Sequence, residues 1–301
     1  MSSAVQPKLA SFHRHYYEIH AETPAELGER MGRLFGPIVR AFLAEARAQS
    51  DWREKIAAAQ PLLECTERYF PRYLTEMRSY AIAAGVPFPE LWALNCEADL
   101  DAREHCTTIV TNDGKLVAHN EDWDAEAADS ICLVKKRLPS ITILELYYYD
   151  GPLGGNALSV NSHGYVQAIN SLQHSDFQAG VPRNVIARWL SETSDIEFDF
   201  ELMRRVPRAS GFNHVVVNSN SDVVDIECTA AKQRLVHPRL PFVHTNHYLT
   251  PKLAAYEEAD GDDSTFCRYA TACRLLRNEM TVDDVMQVMS ETGNGKDNSI
   301  F

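Results

Sequence analysis

The sequence lacks paired cysteines, a long apolar run and an excess of basic residues. Its seven cysteines are odd in number and scattered without a Cys-x-x-Cys pair, which argues against a disulfide framework and a zinc knuckle. We therefore predict a reducing, cytoplasmic setting. No apolar run approaches the roughly 20 residues that span a bilayer, and the first residues lack the apolar core of a signal peptide.

The charge balance excludes several classes of partner. The net charge is −13 and no clustered basic face is visible, so we expect neither nucleic acid nor a membrane as a partner.

His244 and His247 stand three apart on a segment that reads as extended, where they would point to opposite faces. We therefore predict no metal site there, even with His214 as a third ligand, and no cofactor.

Helical patterns fill the first hundred residues. Residues 23–26, Thr-Pro-Ala-Glu, combine a capping residue, a proline at the first helical position and a capping-box glutamate. Apolar residues at helical spacing follow as far as Phe42. A second helix is predicted from about 62 to 84, ending at Gly85, with a short helical turn after it.

The pattern changes at Cys106, where β-branched residues begin. Strand 106–111, the turn Asn112-Asp113-Gly114 and the return strand 116–120 form a predicted hairpin. Further strands are predicted at 141–149, 157–160, 165–169, 214–218, 223–227 and 242–244, and further helices at 183–192, 198–206, 266–276 and 282–291. This order of helices and strands predicts a layered α+β fold.

Cys106 opens its strand directly after a polar, acidic loop, residues 99–105. A loop before a strand is a place where a chain can be cut without losing its core. Free cysteine is also among the most buried residue types. From the residues alone, a buried structural cysteine is therefore the alternative to a functional one.

The run from Cys106 through the glycine-bearing turn to His119-Asn-Glu-Asp-Trp123 resembles the start of mature chains in one group of N-terminal-nucleophile (Ntn) hydrolases. That group holds the acyl-coenzyme A:6-aminopenicillanate (isopenicillin-N) acyltransferases and carcinine hydrolase-like enzymes, with bile salt hydrolases as more distant relatives. The resemblance extends over nearly the whole chain in the family's order. Its other segments are 26–32, 71–95, 159–164, 213–214, 223–228 and 244–247.

The resemblance implies a four-layer αββα Ntn fold with a helical prosegment. It implies that the Cys106 thiol attacks the carbonyl of His105 and releases residues 1–105 as a small subunit. Residues 106–301 would then be the catalytic domain. Family members continue past a Ser-Ile-Cys-type segment, whereas this chain stops at Phe301. The C-terminal strands are therefore expected to be missing.

A cysteine at a chain terminus carries its own base, because its α-amine titrates at about 7.7–8.0. The expected enzyme is a self-processing cysteine amidohydrolase or acyltransferase that forms an acyl-enzyme on Cys106. Its expected partners are small N-acyl or acyl-thioester substrates and its own cleaved prosegment. Amide hydrolysis is the first expectation and acyl transfer the second.

Four further residues are candidates for the site. Asp122 would accept a hydrogen bond from the new ammonium, Asn246 would help form the oxyanion hole, and Arg268 would steady the active-site carboxylate or thiolate. Asn161 is a candidate for a second polar contact. The alternatives are an exposed turn-end acid for Asp122, a turn asparagine for Asn161 and a helix-surface arginine for Arg268. The role of His119 stays open. The preferred interpretation is a structural histidine in a strand, with its ring nitrogens hydrogen-bonded within the fold.

Two other functions stay open. One is an uncut cysteine hydrolase in which Cys106 works with a distant histidine such as His163 or His214. Such an enzyme would be active as a single intact chain. The other is a truncated, non-catalytic relative that binds ligands or nothing, in which removing the Cys106 thiol would change no activity.

Overall fold

The computed structural model describes residues 16–100, 105–122, 130–172, 174–257, 264–295 and 298–300. Residues 101–104 of the loop expected before Cys106, together with Trp123 and Phe301, lie outside these ranges. The helices are α1 (Pro24–Ala46), α2 (Trp52–Tyr69), α3 (Pro71–Ala84), α4 (Phe88–Asn95), α5 (Glu97–Leu100), α6 (Arg183–Leu190), α7 (Ile196–Met203), α8 (Ser264–Leu275) and α9 (Val282–Met289). The strands are β1 (Tyr16–His20), β2 (His105–Thr111), β3 (Leu116–Asp122), β4 (Ile131–Arg137), β5 (Thr142–Tyr148), β6 (Leu158–Asn161), β7 (Val166–Ser171), β8 (Phe212–Val217), β9 (Val223–Cys228), β10 (Gln233–Val236) and β11 (Phe242–His244).

Helix α1 begins where the capping pattern predicts it. The Thr23 side chain accepts a hydrogen bond from the backbone N–H of Glu26, which satisfies one of the free donors at the helix start. The predicted end of α3 is also confirmed, since Gly85 caps it in the left-handed conformation with φ 68°. Among the described helices, none is long and apolar enough to cross a membrane.

The helix predicted from 62 to 84 is divided into two. The break falls at Phe70, which has φ −135° and ψ 52°. Pro71 follows it, and the proline ring disfavours the helical conformation of the residue before it. The apolar spacing continues through the break, so the pattern alone did not reveal it.

The described strands form two sheets. Eight of them lie in the order β1-β4-β5-β6-β7-β8-β9-β10 and three in the order β11-β2-β3. β1 pairs with β4 in parallel, so the N-terminal segment supplies an edge strand and is not purely helical as predicted. Strand β4 was missed because its Lys-Lys-Arg end resembles a solvated surface. Lys136 is instead fully buried and lies 2.6 Å from Glu145 of β5.

The elements stack in four layers. α1 and α3 cover the outer face of the eight-stranded sheet, where the Phe35 ring stacks on Tyr147 at 5.0 Å. The inner face packs on the three-stranded sheet through valines that include Val110 and Val215. The opposite face of the small sheet packs on α8 and α9, where Ile109 is buried. The structure confirms the predicted α+β class and the αββα order of layers.

The β2–β3 hairpin positions the candidate site. Its turn, residues 112–114, has positive φ at all three positions, a conformation that glycine and asparagine or aspartate adopt most readily in hairpin turns. The register places Cys106 opposite Glu121 and His105 opposite Asp122. Residues that pair across strands share a face of the sheet, and successive residues alternate between faces. Cys106 and Glu121 therefore lie on one face of the hairpin, and Asp122 on the other.

Candidate active site

Cys106 lies in β2, one residue after its start, with only 1% of its surface exposed. Its backbone N–H donates to Asn246 Oδ1 at 2.8 Å, and its carbonyl accepts from Arg268 Nη1 at 2.7 Å. Its Sγ donates to Glu121 Oε2 at 3.3 Å. Three polar side chains thus converge on one buried cysteine: Glu121 from the neighbouring strand, and Asn246 and Arg268 from far along the chain.

Arg268 is buried in α8, only 1% exposed, and is not a helix-surface arginine. Besides the Cys106 carbonyl, its guanidinium donates to Thr107 Oγ1 at 3.0 Å, Asn246 Oδ1 at 2.8 Å and Ser264 Oγ at 3.1 Å. A buried guanidinium is tolerated only when its donors find acceptors. Arg268 therefore locks the start of β2 to the segment that carries Asn246.

The amide of Asn246 has a defined orientation. Its Oδ1 accepts from both Cys106 N–H and Arg268, and its Nδ2 donates to the Ser171 carbonyl at 2.9 Å. Its own backbone N–H donates to Thr265 Oγ1 at 2.8 Å. Because an amide oxygen can only accept and the nitrogen only donate, these partners fix which atom faces Cys106.

Asp122 lies opposite His105, the residue before the proposed nucleophile. Its Oδ2 is enclosed and has no hydrogen-bond partner among the described residues. Burial raises the pKa of Asp122 to about 6, although the positive charge of Arg268 opposes that shift. Asp122 is therefore an enclosed carboxyl group that titrates near neutral pH.

A chain of hydrogen bonds runs from the sulfur along the inner face of the hairpin. Beyond the Cys106–Glu121 contact, Glu121 Oε1 lies 2.7 Å from His119 Nε2, and His119 Nδ1 lies 2.8 Å from Thr108 Oγ1. Thr108 donates to Asn170 Oδ1 at 2.7 Å. Glu121 is not among the residues that the sequence predicts for the site. The hairpin register, fixed by a tight turn, was the signal that could have placed it opposite Cys106.

Asn161 does not join this cluster. Its amide donates to two backbone carbonyls between α6 and α7 and accepts two N–H groups of its own β6–β7 turn. The β6–β7 pairing puts Asn161 at the opposite end of β7 from Ser171, the residue that contacts Asn246. Its contacts match the turn asparagine considered as the alternative, because its Oδ1 accepts from the β6–β7 turn and its Nδ2 ties that turn to the segment between α6 and α7.

The two histidines of the uncut alternative lie away from the hairpin. His163 is in the β6–β7 turn beside Asn161. His214 is in β8, with its ring against Phe212, which packs on α6. Burial lowers the pKa of His214 to about 3. Among the described residues, His119 is linked to Cys106 by hydrogen bonds, since Glu121 contacts both of them.

Two groups of side chains among the described residues hold three potential metal ligands within 4.8 Å of one another: Cys106, His119 and Glu121, and Asp225, Glu227 and His244. In the second group, His244 Nε2 lies 3.1 Å from Glu227 Oε1, and its Nδ1 lies 2.7 Å from the Thr245 carbonyl. Burial lowers the pKa of His244, but the charge of Asp225 and the bond to Glu227 outweigh burial and raise it. The paired side chains of His244 and Glu227 therefore hold the backbone just before Asn246 in place.

The sequence matches a protein family and a curated relative. The match to the acyl-coenzyme A:6-aminopenicillanic acid acyl-transferase family covers residues 109–300. The beta-alanyl-dopamine/carcinine hydrolase of Drosophila melanogaster is 26% identical over 213 residues, which are 60% of this chain and 55% of that protein. The chain thus spans about half the length of this relative.

Similar solved structures include penicillin V acylase from Agrobacterium tumefaciens, with 13% identity and a TM-score of 0.35. That match covers 61% of this chain and 60% of the acylase. A mutant of the conjugated bile acid hydrolase from Clostridium perfringens has the same identity and TM-score, and the match covers 60% of each chain.

Proposed function

Because the chain belongs to the acyl-coenzyme A:6-aminopenicillanic acid acyl-transferase family, we propose that it is a self-processing amide hydrolase with Cys106 as its nucleophile. The chain cuts itself between His105 and Cys106, and residues 1–105 stay on residues 106–301 as a small subunit. One observation carries this proposal. Asn246 Oδ1 lies 2.8 Å from the backbone nitrogen of Cys106, the atom that cleavage would turn into a free amine.

In maturation, Cys106 Sγ attacks the carbonyl carbon of His105 and the bond from that carbon to the Cys106 nitrogen breaks. Water then hydrolyses the resulting thioester. The freed α-amine titrates at about 7.7–8.0, so it can take the thiol proton near neutral pH. Asn246 accepts a hydrogen bond from this amine, and Asp122 supplies a carboxylate beside the position that residue 105 vacates.

In the catalytic cycle, the Cys106 thiolate attacks the substrate carbonyl, the amine leaves, and water hydrolyses the acyl-enzyme. The tetrahedral intermediate places negative charge on oxygen. An amide nitrogen carries two hydrogens. Among the described residues, Asn246 Nδ2 donates one of its two hydrogens to the Ser171 carbonyl. The other is the proposed oxyanion donor, and removing such a donor typically lowers the rate by about 10²–10³. Arg268 positions Asn246 for this role.

The proposed substrates are small N-acyl amines. The curated relative is named for hydrolysis of beta-alanyl-dopamine, the amide of an amino acid with an amine. Hydrolysis is the proposed main reaction, and transfer of the acyl group from an amide or thioester to an amine is the second. Beta-alanyl-dopamine serves as the probe: hydrolysis releases dopamine without an added acceptor, whereas transfer requires one.

Denaturing mass spectrometry tests the cleavage. We expect two fragments whose masses sum to the intact chain plus one water, with the larger one beginning Cys-Thr-Thr. Cys106→Ala should give one intact chain. Cys132→Ala is the matched control, because Cys132 is also a buried strand cysteine, 3% exposed, and this variant should still be cut.

Two results would contradict the proposal. An intact parent chain with full hydrolytic activity would favour an uncut thiol hydrolase. A Cys106→Ala variant with undiminished activity would exclude Cys106 as the nucleophile.

A further inference from the structure

The proposed maturation leaves one proton transfer without an acceptor. In the uncut chain the nitrogen of Cys106 belongs to a peptide bond, so it cannot serve as the base that it becomes after cleavage. A free thiol has a pKa of about 8.5 and is mostly protonated at neutral pH. The first attack on His105 therefore requires another group that takes the proton from Cys106 Sγ.

Glu121 is positioned to take that proton. Its Oε2 lies 3.3 Å from Cys106 Sγ and accepts the S–H hydrogen bond. The contact follows from the hairpin register, in which the two residues are paired. The Glu121 side chain is only 11% exposed and that of His119 is fully buried, so bulk water does not compete freely for the carboxylate.

The hydrogen-bond chain behind Glu121 defines where protons lie. Asn170 Nδ2 donates to the His244 carbonyl at 3.3 Å, so Asn170 Oδ1 faces Thr108 and accepts its hydroxyl proton. The Thr108 oxygen must then accept from His119 Nδ1–H. His119 Nε2 and Glu121 Oε1, 2.7 Å apart, consequently share one further proton. This arrangement leaves Glu121 Oε2 to face the thiol as an acceptor.

We propose that Glu121 is the catalytic proton acceptor for Cys106 Sγ during self-cleavage and that His119 is its positioning residue. The inference rests on the proposed cut between His105 and Cys106. As Sγ bonds to the carbonyl carbon of His105, the thiol proton moves to Glu121 Oε2. When the carbon–nitrogen bond breaks, that proton passes to the Cys106 nitrogen, which becomes an amine.

The second half of the cleavage balances in the same way. Water attacks the thioester carbon, the carbon–sulfur bond breaks, Sγ regains a proton and His105 ends as a carboxylic acid. The hydrogen bond from His119 to Glu121 Oε1 keeps Oε2 of the same carboxyl group directed at the sulfur during this step. Two different bases thus serve the same thiol: Glu121 before the cut and the α-amine after it.

The test follows cleavage of freshly synthesised full-length chains over time on denaturing gels. Glu121→Gln keeps the size of the side chain but removes the acceptor, and we expect cleavage at neutral pH to slow about 100-fold or more. Its remaining rate should rise about tenfold per pH unit between pH 6 and 8, because only the small fraction of spontaneous thiolate then reacts. Glu64→Gln, in the exposed part of α2, is the matched control and should be cut like the parent chain.

His119→Gln tests the positioning role. It should slow cleavage less than Glu121→Gln does and should shift the pH dependence of the rate, which a purely structural role would not change. The parent chain provides a further check. Between pH 6 and 8 its cleavage rate should rise much less steeply than that of Glu121→Gln, because a fixed acceptor at 3.3 Å takes the thiol proton directly.

The outcomes separate the two proposals. If Glu121→Gln is cut at the parent rate with the parent pH dependence, the role of Glu121 is refuted, while self-cleavage still stands because Cys106→Ala stays whole. A parent rate that climbs about tenfold per unit from pH 6 to 8 also refutes it, since that is the behaviour of a thiol without a base. If the parent chain itself is never cut, the proposed function fails first.

Discussion

At the scale of single residues, Cys106 is held differently on the two faces of β2. Its sulfur faces Glu121, toward the large sheet, whereas Arg268 holds its backbone from the α8 side. Asp122 lies on the Arg268 side, because it follows Glu121 directly in β3. The proton acceptor proposed for the uncut chain and the carboxylate proposed to meet the new amine are therefore neighbours that point in opposite directions.

The burial of Asp122 predicts that Asp122→Asn stabilises the uncut Cys106→Ala protein, and that the gain depends on pH. Burial raises the pKa of Asp122 to about 6, from about 3.9 in an unfolded chain. Between these values the folded state binds more protons, so the contribution of Asp122 to stability is present below pH 4 and is lost as the pH rises through 6. We expect Asp122→Asn to raise the free energy of unfolding by about 1–3 kcal/mol at pH 8 and much less at pH 4.

Urea unfolding at both pH values measures this difference. Asp283→Asn, at an exposed position in α9, is the control and should show little change between them. A gain of equal size at pH 4 and pH 8 would contradict the prediction.

At the scale of elements, close packing of α1 on α3 depends on glycine. A Cβ on Gly28 would lie 1.8 Å from the Glu76 backbone oxygen. No side-chain rotation relieves such an overlap, because the obstructing atom belongs to the backbone of α3. The glycine thus permits the helix pair that covers the outer face of the large sheet.

Gly28→Ala is therefore expected to lower the free energy of unfolding by about 2–3 kcal/mol, through overpacking that outweighs the better helix propensity of alanine. Gly85→Ala is the comparison, since a Cβ there meets nothing within 4 Å and only the positive φ of 68° opposes it. That change should cost about 1 kcal/mol. Chemical denaturation of both variants checks the order, and a larger loss for Gly85→Ala would contradict it.

At the scale of the whole molecule, the segment before Cys106 is built into the core. β1 pairs along its full length with β4, and Phe35 of α1 stacks on Tyr147 of β5. The main apolar cluster contains residues from both sides of the proposed cut. Separating the two parts would expose this apolar surface to water.

After the proposed cleavage we therefore expect the two fragments to elute together in size-exclusion chromatography and to part only in denaturant. Phe35→Ala should weaken this association, because truncating a buried phenylalanine typically costs about 3–5 kcal/mol. Native mass spectrometry of the parent and this variant measures the fraction of complex. Fragments of the parent that separate without denaturant would contradict the expectation.

Much of the secondary structure could be predicted because its causes are local. The cap at Thr23, the left-handed Gly85 and the positive-φ turn at 112–114 depend on neighbours a few residues away. The break between α2 and α3 at Phe70 has an equally local cause, the following proline, but the continuous apolar spacing obscured it. Strand β4 was missed for another reason: Lys136 is buried only because a different strand supplies Glu145.

By itself the sequence determined the α+β class and the β2–β3 hairpin, and it indicated Cys106 as the candidate nucleophile. Only the tertiary structure decided which side chains meet it. Asn246 and Arg268 stand 140 and 162 positions further along the chain, whereas Asn161 ends β6, beside the start of β7 and away from Ser171. Backbone conformation responds to adjacent residues, but contacts over such separations depend on how the four layers pack, which no local pattern encodes.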